Sequence, residues 1–332
     1  MRTGLFSNCD PSGGALSAAA GFAESAELIQ HAESLGFDEA WVGEQPLNQG
    51  EAAPAHFSML SQLAARTTRI RLGSLALASP WRNPIAVAND VARLDLLCGG
   101  RLDFAFGKSR SFPVQRKLCK HSGALPAATG ARTLESLTFV QRLLSEERVT
   151  FAGQFHNADR VRLEQRPIQT PIPTYVASSE LNFLRFAAQH ECGVIAEPLF
   201  ALNDLAEVMR LFRELSPGQG GGLVAMRFFH IGATHDQAVE EAAHMLAPRF
   251  ERALAKAAPA QQVWMPWFQL GRLIADSLIG TVEDIRAKIY DIERRVAPTS
   301  VILAPVSRDF AKRKADLALF AREIRPAMEV AA

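Results

Sequence analysis

The sequence predicts one (β/α)8 barrel, and three observations support that fold class. Eight short runs of apolar, β-branched or aromatic residues are spread along the 332 residues. Amphipathic segments of helical period separate these runs, which is typical of βα units around a parallel sheet. No change of composition and no long Pro/Gly-rich linker divides the chain. This continuity favours a single closed barrel over 1–332 rather than an open doubly wound sheet.

Each predicted strand is a short apolar run, and each predicted helix carries apolar residues at three- and four-residue intervals. The strands are expected at 3–7, 39–43, 70–77, 102–106, 174–177, 193–196, 224–231 and 300–304. The helices are expected at 18–35, 54–66, 84–97, 132–145, 181–190, 205–215, 236–250 and 282–296. N-cap signals mark two of the helix starts, Thr234 with Gln237 and Thr281 with Asp284.

Three segments interrupt the repeat, at 107–130, 149–173 and 255–279. The first is polar and basic, the second has the pattern of a hairpin followed by a connection, and the third is a long insertion before the last helix. Insertions on the C-terminal face of a barrel commonly build the active site or its lid. In the third insertion, Trp264, Trp267 and Phe268 either cap an apolar substrate pocket or belong to a local core or a dimer interface.

Composition argues against several function classes. Apolar residues make up 48% and charged residues 21% of the chain, which is enough material for a large core. The net charge of +1 indicates neither a nucleic-acid nor an anionic-membrane partner. Four scattered cysteines without a CxxC pair predict neither a disulfide framework nor a metal site. With no signal-peptide pattern and no run of about 18 apolar residues, the expected location is the cytoplasm.

Absent motifs narrow the chemistry further. The chain has no GxGxxG, GxxxxGK[ST], GxSxG or HExxH. Rossmann-type dinucleotide binding, P-loop chemistry, a serine-hydrolase elbow and a zincin site are therefore unsupported. What remains is the rule that side chains at the C-terminal ends of barrel strands face the active site. This rule collects Asn8, Cys9, Glu44, Gln45, residues 74–76, Lys108, Arg110, Ser178, Ser179, Glu197 and His230.

A phosphate-binding interpretation joins a basic set with a serine at another helix start. The set consists of Lys108 and Arg110 after the fourth strand and Arg132 at the head of the next helix, and the serine is Ser179. The alternative is that Lys108 and Arg110 are solvated loop charges and that Arg132 pairs with a carboxylate, either Glu135 or Glu164. The residues alone leave both interpretations open.

The other strand-end residues each allow a functional and a structural interpretation. Ser178 and Ser179 could simply cap the helix that begins near residue 181. His230 ends the seventh strand, where an imidazole can act as an acid or a base, or can be a core histidine. Glu44 could hold a ligand, or it could satisfy backbone N–H groups at the barrel rim.

Five runs carry a family resemblance. They are LGFDEAWVGEQ at 35–45, LAARTTRIRLGS at 63–74, NPIAVANDVARLDLLCGGRLDFAFG at 83–107, IQTPIPTYVASS at 168–179 and IGTVEDIRAKI at 279–289. Together they resemble the bacterial-luciferase-like flavin-dependent monooxygenases. The resemblance covers about 1–196 and 279–324, and the ordered set GFD, ARTxRIxLG and LDxLxxGRLxF makes it specific.

The resemblance implies a (β/α)8 barrel, commonly dimeric, that binds reduced FMN or, in one branch, the deazaflavin F420 at its strand ends. A separate reductase usually supplies the reduced flavin. Lys108, Arg132 and Ser179 match positions that hold the flavin phosphate in the family. Leu75 and Ala76 stand where members often carry a non-prolyl cis peptide beneath the isoalloxazine ring.

Two departures from the family bear on the chemistry. Many members read Glu-His-His after the second strand and use the first histidine as an acid or base, whereas this chain reads Glu44-Gln45-Pro46. Glutamine exchanges no proton near pH 7, so that role is absent, is taken by His56 or His230, or is not needed. Gly107 replaces the reactive cysteine of luciferases, so bioluminescence is not expected.

The resemblance therefore leads us to expect a flavin-dependent monooxygenase that uses reduced FMN and O2 to oxygenate a small organic substrate. In this hypothesis Gln45 orients flavin or substrate, Glu44 and Ser178 help to hold the cofactor, and His230 transfers a proton. The alternatives are F420-dependent hydride transfer on the same barrel and a non-catalytic flavin-binding partner subunit. The expected partners are a transient flavin reductase and a second chain, in a homodimer or in a heterodimer with a related chain.

Overall fold

The computed structural model describes residues 1–9, 18–43, 56–78, 82–107, 129–216, 221–256 and 270–330. Its strands are β1 (Arg2–Ser7), β2 (Glu39–Gly43), β3 (Arg71–Ala78), β4 (Leu102–Gly107), β5 (Val149–Ala152), β6 (Asn157–Val161), β7 (Thr174–Ala177), β8 (Gly193–Ala196), β9 (Leu223–Ile231), β10 (Leu278–Gly280) and β11 (Ser300–Pro305). Its helices are α1 (Ala18–Ser34), α2 (His56–Arg66), α3 (Pro84–Leu97), α4 (Thr129–Ser145), α5 (Leu181–Gln189), α6 (Leu202–Leu215), α7 (His235–Lys256), α8 (Leu270–Ala275), α9 (Val282–Val296), α10 (Phe310–Leu319) and α11 (Arg325–Val330). A π-helical turn at Phe320–Ile324 joins α10 to α11. Among these residues, no helix is both long enough and apolar enough to cross a membrane.

Eight parallel strands close into the predicted barrel. They are neighbours in the order β1, β2, β3, β4, β7, β8, β9 and β11, and the pairing of β11 with β1 closes the circle. All eight predicted strands are present, and their ends differ from the predicted ends by at most one residue. Helices follow the strands around the closed sheet, so the predicted fold class is confirmed.

The short elements near the expected insertion at 255–279, α8 and β10, and the helices after β11 are not among the predicted elements. β10 lies in the expected insertion at 255–279 and pairs in parallel with the last three residues of β9. A long C-terminal helical segment follows β11, where Asp309 accepts hydrogen bonds from two backbone N–H groups of α10. Phe320 of this segment is fully buried and packs against Phe37 and Phe229. The apolar period of α10 is hard to recognise in the sequence because charged residues dominate 312–316.

The inside of the barrel is filled by aromatic and aliphatic side chains. Trp41 and Tyr175 meet edge-on, with ring centroids 5.4 Å apart and ring planes at 84°. Gly73 and Gly193 make room for these rings, since an added Cβ would lie 2.3 Å from Trp41 or 2.4 Å from Tyr175. The other buried members of this inner layer are Leu75, Ala105, Ile195, Val224, Met226, Ile302 and Ala304.

Charged side chains close the N-terminal end of the barrel. Arg71 donates to Asp103 twice, from Nε to Oδ2 at 2.8 Å and from Nη2 to Oδ1 at 3.0 Å. Arg2 lies 3.7 Å from Glu39, whose carboxylate also contacts Ser300. Both carboxylates are buried. Because this end is occupied, a ligand site is expected at the opposite, C-terminal end.

Candidate functional site

Small residues line the C-terminal ends of the strands. Gly43, Gly107 and Ala177 end β2, β4 and β7. Gly107 pairs with Ala177, and Gly43 pairs with Leu75 of β3. The aromatic inner layer lies beneath them. Small side chains above a packed aromatic layer leave a surface that suits a flat ligand.

The peptide bond between Leu75 and Ala76 is cis, as the family resemblance predicts. The pairing of β3 with β4 shifts its register between Ser74 and Leu77, so the strand is irregular at this peptide. Leu75 is buried and Ala76 packs against the inner layer of the barrel. The cis peptide thus lies above the barrel core, near the C-terminal end of β3.

Arg132 lies near the start of α4 and is half-buried, and its Nε is buried without a hydrogen-bond partner in the described part of the chain. The alternative pairing with Glu135 is not formed. The Glu135 carboxylate instead accepts 2.8 Å hydrogen bonds from the backbone N–H groups of Gln154, Phe155 and His156 in the β5–β6 turn. Buried N–H groups are nearly always satisfied, and a phosphate oxygen is an acceptor that would satisfy this one.

Ser178 and Ser179 connect β7 to α5, and both are half-buried. The N-cap residue of α5 is Glu180, which makes no side-chain hydrogen bond to the first turn. The alternative in which a serine caps the helix is therefore wrong. Ser178 Oγ instead accepts a hydrogen bond of 3.2 Å from the Glu180 N–H. A helix start without a side-chain cap keeps backbone N–H groups available for an anion.

The first turns of α4 and α5 approach each other at one point. A Cβ added to Gly130 of α4 would lie 3.8 Å from the ring of Phe183 in α5. The two preceding strands, β4 and β7, are neighbours in the barrel. Arg132 and Ser179 therefore lie on the same side of the barrel mouth. An unpartnered guanidinium Nε beside an uncapped helix start fits the phosphate group of a flavin mononucleotide.

His156 lies near Arg132, but the sequence reasoning did not single it out. Its Nε2 is 2.8 Å from Ser136 Oγ on α4. Burial, and then the positive charge of Arg132, lower the pKa of His156, so its imidazole is neutral near neutral pH.

The pattern at 149–173 predicts a hairpin, and β5 and β6 form one. No sequence signal indicates which helix the turn of this hairpin contacts.

His230 lies at the end of β9 and is 2% exposed. Its Nε2 is 2.7 Å from Glu241 Oε2 of α7, and its Nδ1 is 3.5 Å from Asp316 Oδ2 of α10. The hydrogen bond from His230, followed by one from Gln237, lowers the pKa of the Glu241 carboxyl. The imidazole thus contacts two helices outside the barrel, and this geometry favours the structural interpretation of His230.

Several predicted site residues lie outside the described residues. They are Glu44, Gln45, Lys108, Arg110 and the aromatic group Trp264, Trp267 and Phe268. The described α2 begins at His56, but the His56 side chain is outside as well. The roles of these residues stay predictions.

Comparison with known proteins connects this site to a family. A model of the family described as luciferase-like monooxygenase matches residues 1–298. The chain is 32% identical to 4-hydroxyprotoasukamycin monooxygenase of Streptomyces nodosus subsp. asukaensis, over 54% of this chain and 50% of that protein. It is 29% identical to the oxygenase component of the flavin-dependent trigonelline monooxygenase of Acinetobacter baylyi, over 53% and 48%. It is 30% identical to the F420-dependent glucose-6-phosphate dehydrogenase of Kineococcus radiotolerans, over 51% of each chain. The chain thus spans about half the length of these curated relatives.

A solved structure extends the likeness to the whole fold. Monooxygenase RslO1 from Streptomyces bottropensis superposes with a TM-score of 0.84 at 25% identity, covering 99% of this chain and 100% of that chain. The family model matches most of the sequence, and the barrel and the cis peptide agree with it. The chain belongs to the luciferase-like monooxygenase family.

Proposed function

We propose that this chain is a flavin-dependent monooxygenase that uses reduced FMN and O2 to oxygenate a small organic substrate. The observation that carries the proposal is the unpartnered Nε of Arg132 beside the uncapped start of α5, at the same barrel end as the Leu75–Ala76 peptide. When bound, the reduced flavin activates dioxygen and supplies the oxygen atom to the substrate. The names of the Streptomyces and Acinetobacter relatives support this activity.

The residues of the chain would bind, orient and shield the cofactor. Arg132 and Ser179, with the first N–H groups of α5, bind the phosphate, together with Lys108 as the resemblance implies. Leu75 and Ala76 support one face of the ring. Beneath them the inner layer around Trp41 is closely packed, so water cannot reach the ring through the barrel.

Proton transfer needs a group other than Gln45, whose amide does not titrate near neutral pH. His230 is the proposed acid or base. The competing interpretation is structural, since His230 is buried and its Nε2 is 2.7 Å from Glu241 Oε2. If His230 does transfer protons, its replacement by glutamine changes the pH dependence of kcat. If it is structural, His230→Gln lowers thermal stability and leaves the pH profile unchanged.

The proposed partners are a flavin reductase, which delivers the reduced cofactor, and a second chain. A reductase agrees with the name of the Acinetobacter relative, an oxygenase component. The second chain forms a homodimer or a heterodimer with a related protein. Sedimentation of the purified chain distinguishes these cases, since a homodimer forms without any other protein.

A second candidate function is F420-dependent hydride transfer on the same barrel. It is favoured by the Kineococcus relative, an F420-dependent dehydrogenase that is 30% identical over about half of its length. This reaction needs the same barrel end but no dioxygen. Binding of F420 without binding of FMN would select it.

The deciding experiment is an anaerobic titration with reduced FMN, followed by mixing with aerated buffer while flavin absorbance is recorded. Tight binding and a long-lived oxygenated flavin species support the monooxygenase. Binding with immediate reoxidation indicates a non-catalytic partner subunit. Failure to bind FMN, with binding of F420, selects the second candidate.

A matched pair of variants tests the phosphate site. Arg132→Ala should weaken FMN binding about 10- to 100-fold, because a hydrogen bond to a charged group contributes about 1.5–3 kcal/mol. Arg142→Ala, on the same helix, is the control, since Arg142 is 39% exposed and pairs with Glu146. Riboflavin lacks the phosphate, so its binding should not change in either variant. Equal losses of FMN affinity in the two variants would refute the assignment of Arg132.

A further inference from the structure

Asn8 stands at the C-terminal end of the barrel, directly after β1. Ser7 pairs with Val42, and Gly43 pairs with Leu75. Asn8, Gly43 and Leu75 therefore form one row across three neighbouring strands. Two strand spacings, about 10 Å, separate Asn8 from the Leu75–Ala76 peptide. A three-ring cofactor lying over that peptide is long enough to reach Asn8.

The carboxamide oxygen of Asn8 is buried and has no hydrogen-bond partner within the described residues. Buried acceptors in folded proteins almost always have a donor. Asn8 Oδ1 is therefore an acceptor without a donor among the described residues, and it lies at the barrel end proposed to bind the cofactor.

Gly43 gives the Asn8 side chain its space. A Cβ added to Gly43 would lie 2.1 Å from Asn8 Oδ1 and 2.9 Å from the ring of Phe6. Gly43 ends a regular strand and is not among the glycines with positive φ. The glycine is thus needed for the room it leaves, and not for an unusual backbone conformation.

The backbone next to Asn8 is unusual. Cys9 has a φ of 58° and is fully buried. Residues other than glycine rarely adopt this left-handed conformation, and those that do cluster at binding sites, where the surrounding structure holds them. This left-handed residue therefore directly follows Asn8, just after the end of β1.

We propose that Asn8 is a positioning residue that accepts a hydrogen bond from the pyrimidine-ring N–H of the flavin. This inference rests on the proposed function and deepens it. Oxidised flavin, reduced flavin and deazaflavin all carry this N–H, so Asn8 holds the ring in every redox state. Arg132 and the start of α5 bind the phosphate, and Asn8 fixes the ring, so the cofactor is oriented from both ends.

The test compares the binding of oxidised FMN and of riboflavin, measured by quenching of flavin fluorescence. Asn8→Leu keeps nearly the same volume and removes the acceptor. It should raise Kd about threefold to tenfold for both flavins, which is the effect expected for one hydrogen bond. Arg132→Ala should affect FMN alone, so the two contacts are separable. The control is Asn89→Leu, since Asn89 is a half-buried asparagine whose Nδ2 donates to the Ile85 carbonyl at 3.2 Å, and flavin affinity should not change.

Thermal unfolding without cofactor separates positioning from a structural role. Asn8→Leu should unfold at the same temperature as wild type or higher, because the lost acceptor has no hydrogen-bond partner among the described residues. A lower unfolding temperature, or flavin affinities within about twofold of wild type, overturns the proposal. Normal flavin binding with a raised KM would assign Asn8 to the substrate instead and also overturns it. If wild type binds neither flavin nor F420, the proposed function itself has failed, before any variant is compared.

Discussion

Replacing Glu135 by alanine should loosen the β5–β6 hairpin while leaving the barrel folded. The Glu135 carboxylate accepts three hydrogen bonds of 2.8 Å from the turn N–H groups at 154–156. Hydrogen bonds to a charged acceptor contribute about 1.5–3 kcal/mol each when shielded from water. Gln154 is exposed, and Phe155 and His156 are half-buried. We therefore expect each of the three hydrogen bonds to contribute about 1 kcal/mol. The turn should therefore lose about 2–4 kcal/mol of local stability.

Amide hydrogen exchange measures this loss directly. A local opening that becomes easier by about 2.8 kcal/mol exchanges about a hundredfold faster. Peptides that cover 154–156 should show this change in Glu135→Ala, and a smaller one in Glu135→Gln, which keeps one acceptor oxygen. Glu146→Ala is the control, since this carboxylate lies on the same helix, is 41% exposed and pairs with Arg142. Unchanged exchange at 154–156 in Glu135→Ala would show that the carboxylate does not hold the turn.

Two further predictions concern the barrel itself. Burial opposes ionisation of Glu33, but hydrogen bonds from the backbone N–H groups at 68–70 lower its pKa below the ordinary 4.5. The resulting stabilisation is complete above pH 4.5 and is lost as pH falls through the folded pKa. In urea unfolding, Glu33→Gln should therefore have a lower free energy of unfolding than wild type, and this difference should shrink below pH 4.5. A difference that stays constant with pH would contradict this. Gly73→Ala should cost about 1–3 kcal/mol in the same assay, because its Cβ would lie 2.3 Å from the Trp41 ring. Gly271→Ala has no neighbour within 4 Å and should not be destabilised, and an equal loss in both variants would contradict the steric argument.

The barrel strands could be predicted because each is buried on both faces and so reads as a continuous apolar run. All five residues of β2, for example, are buried. β10 could not be predicted, since three residues are too few to show a pattern. The C-terminal helix was missed because Lys312 and Asp316 look like surface charges. In the structure both residues contact the last residue of β9. Lys312 Nζ contacts the Ile231 carbonyl, and the Ile231 N–H lies 3.4 Å from Asp316 Oδ2.

The candidate site was only partly predictable. The strand-end rule collects Ser179 because the barrel topology is regular, whereas the cis peptide at Leu75 came from the family resemblance alone. Arg132 could be predicted as a cation at a helix start. That it has no carboxylate partner among the described residues could not, because this depends on the β5–β6 turn, whose N–H groups Glu135 binds. The contacts of His230 with Glu241 and Asp316 could not be predicted for the same reason, because they depend on how α7 and α10 pack against the barrel.

The two ends of the barrel differ in how their polar side chains are paired. At the N-terminal end, Arg71 and Asp103 form two hydrogen bonds with each other. The buried Glu39 Oε2 has no hydrogen-bond partner in the described residues, but it lies 3.7 Å from Arg2, so charged groups of the protein itself close that end. At the C-terminal end, Asn8 Oδ1 and Arg132 Nε have no described partner. A fold gains no stability from leaving a buried acceptor and a buried donor unmatched. Both atoms lie at the barrel end with small strand-end residues. A ligand that carries an N–H at one end and a phosphate at the other would supply a donor to Asn8 and an acceptor to Arg132, and this explains why both are left unmatched.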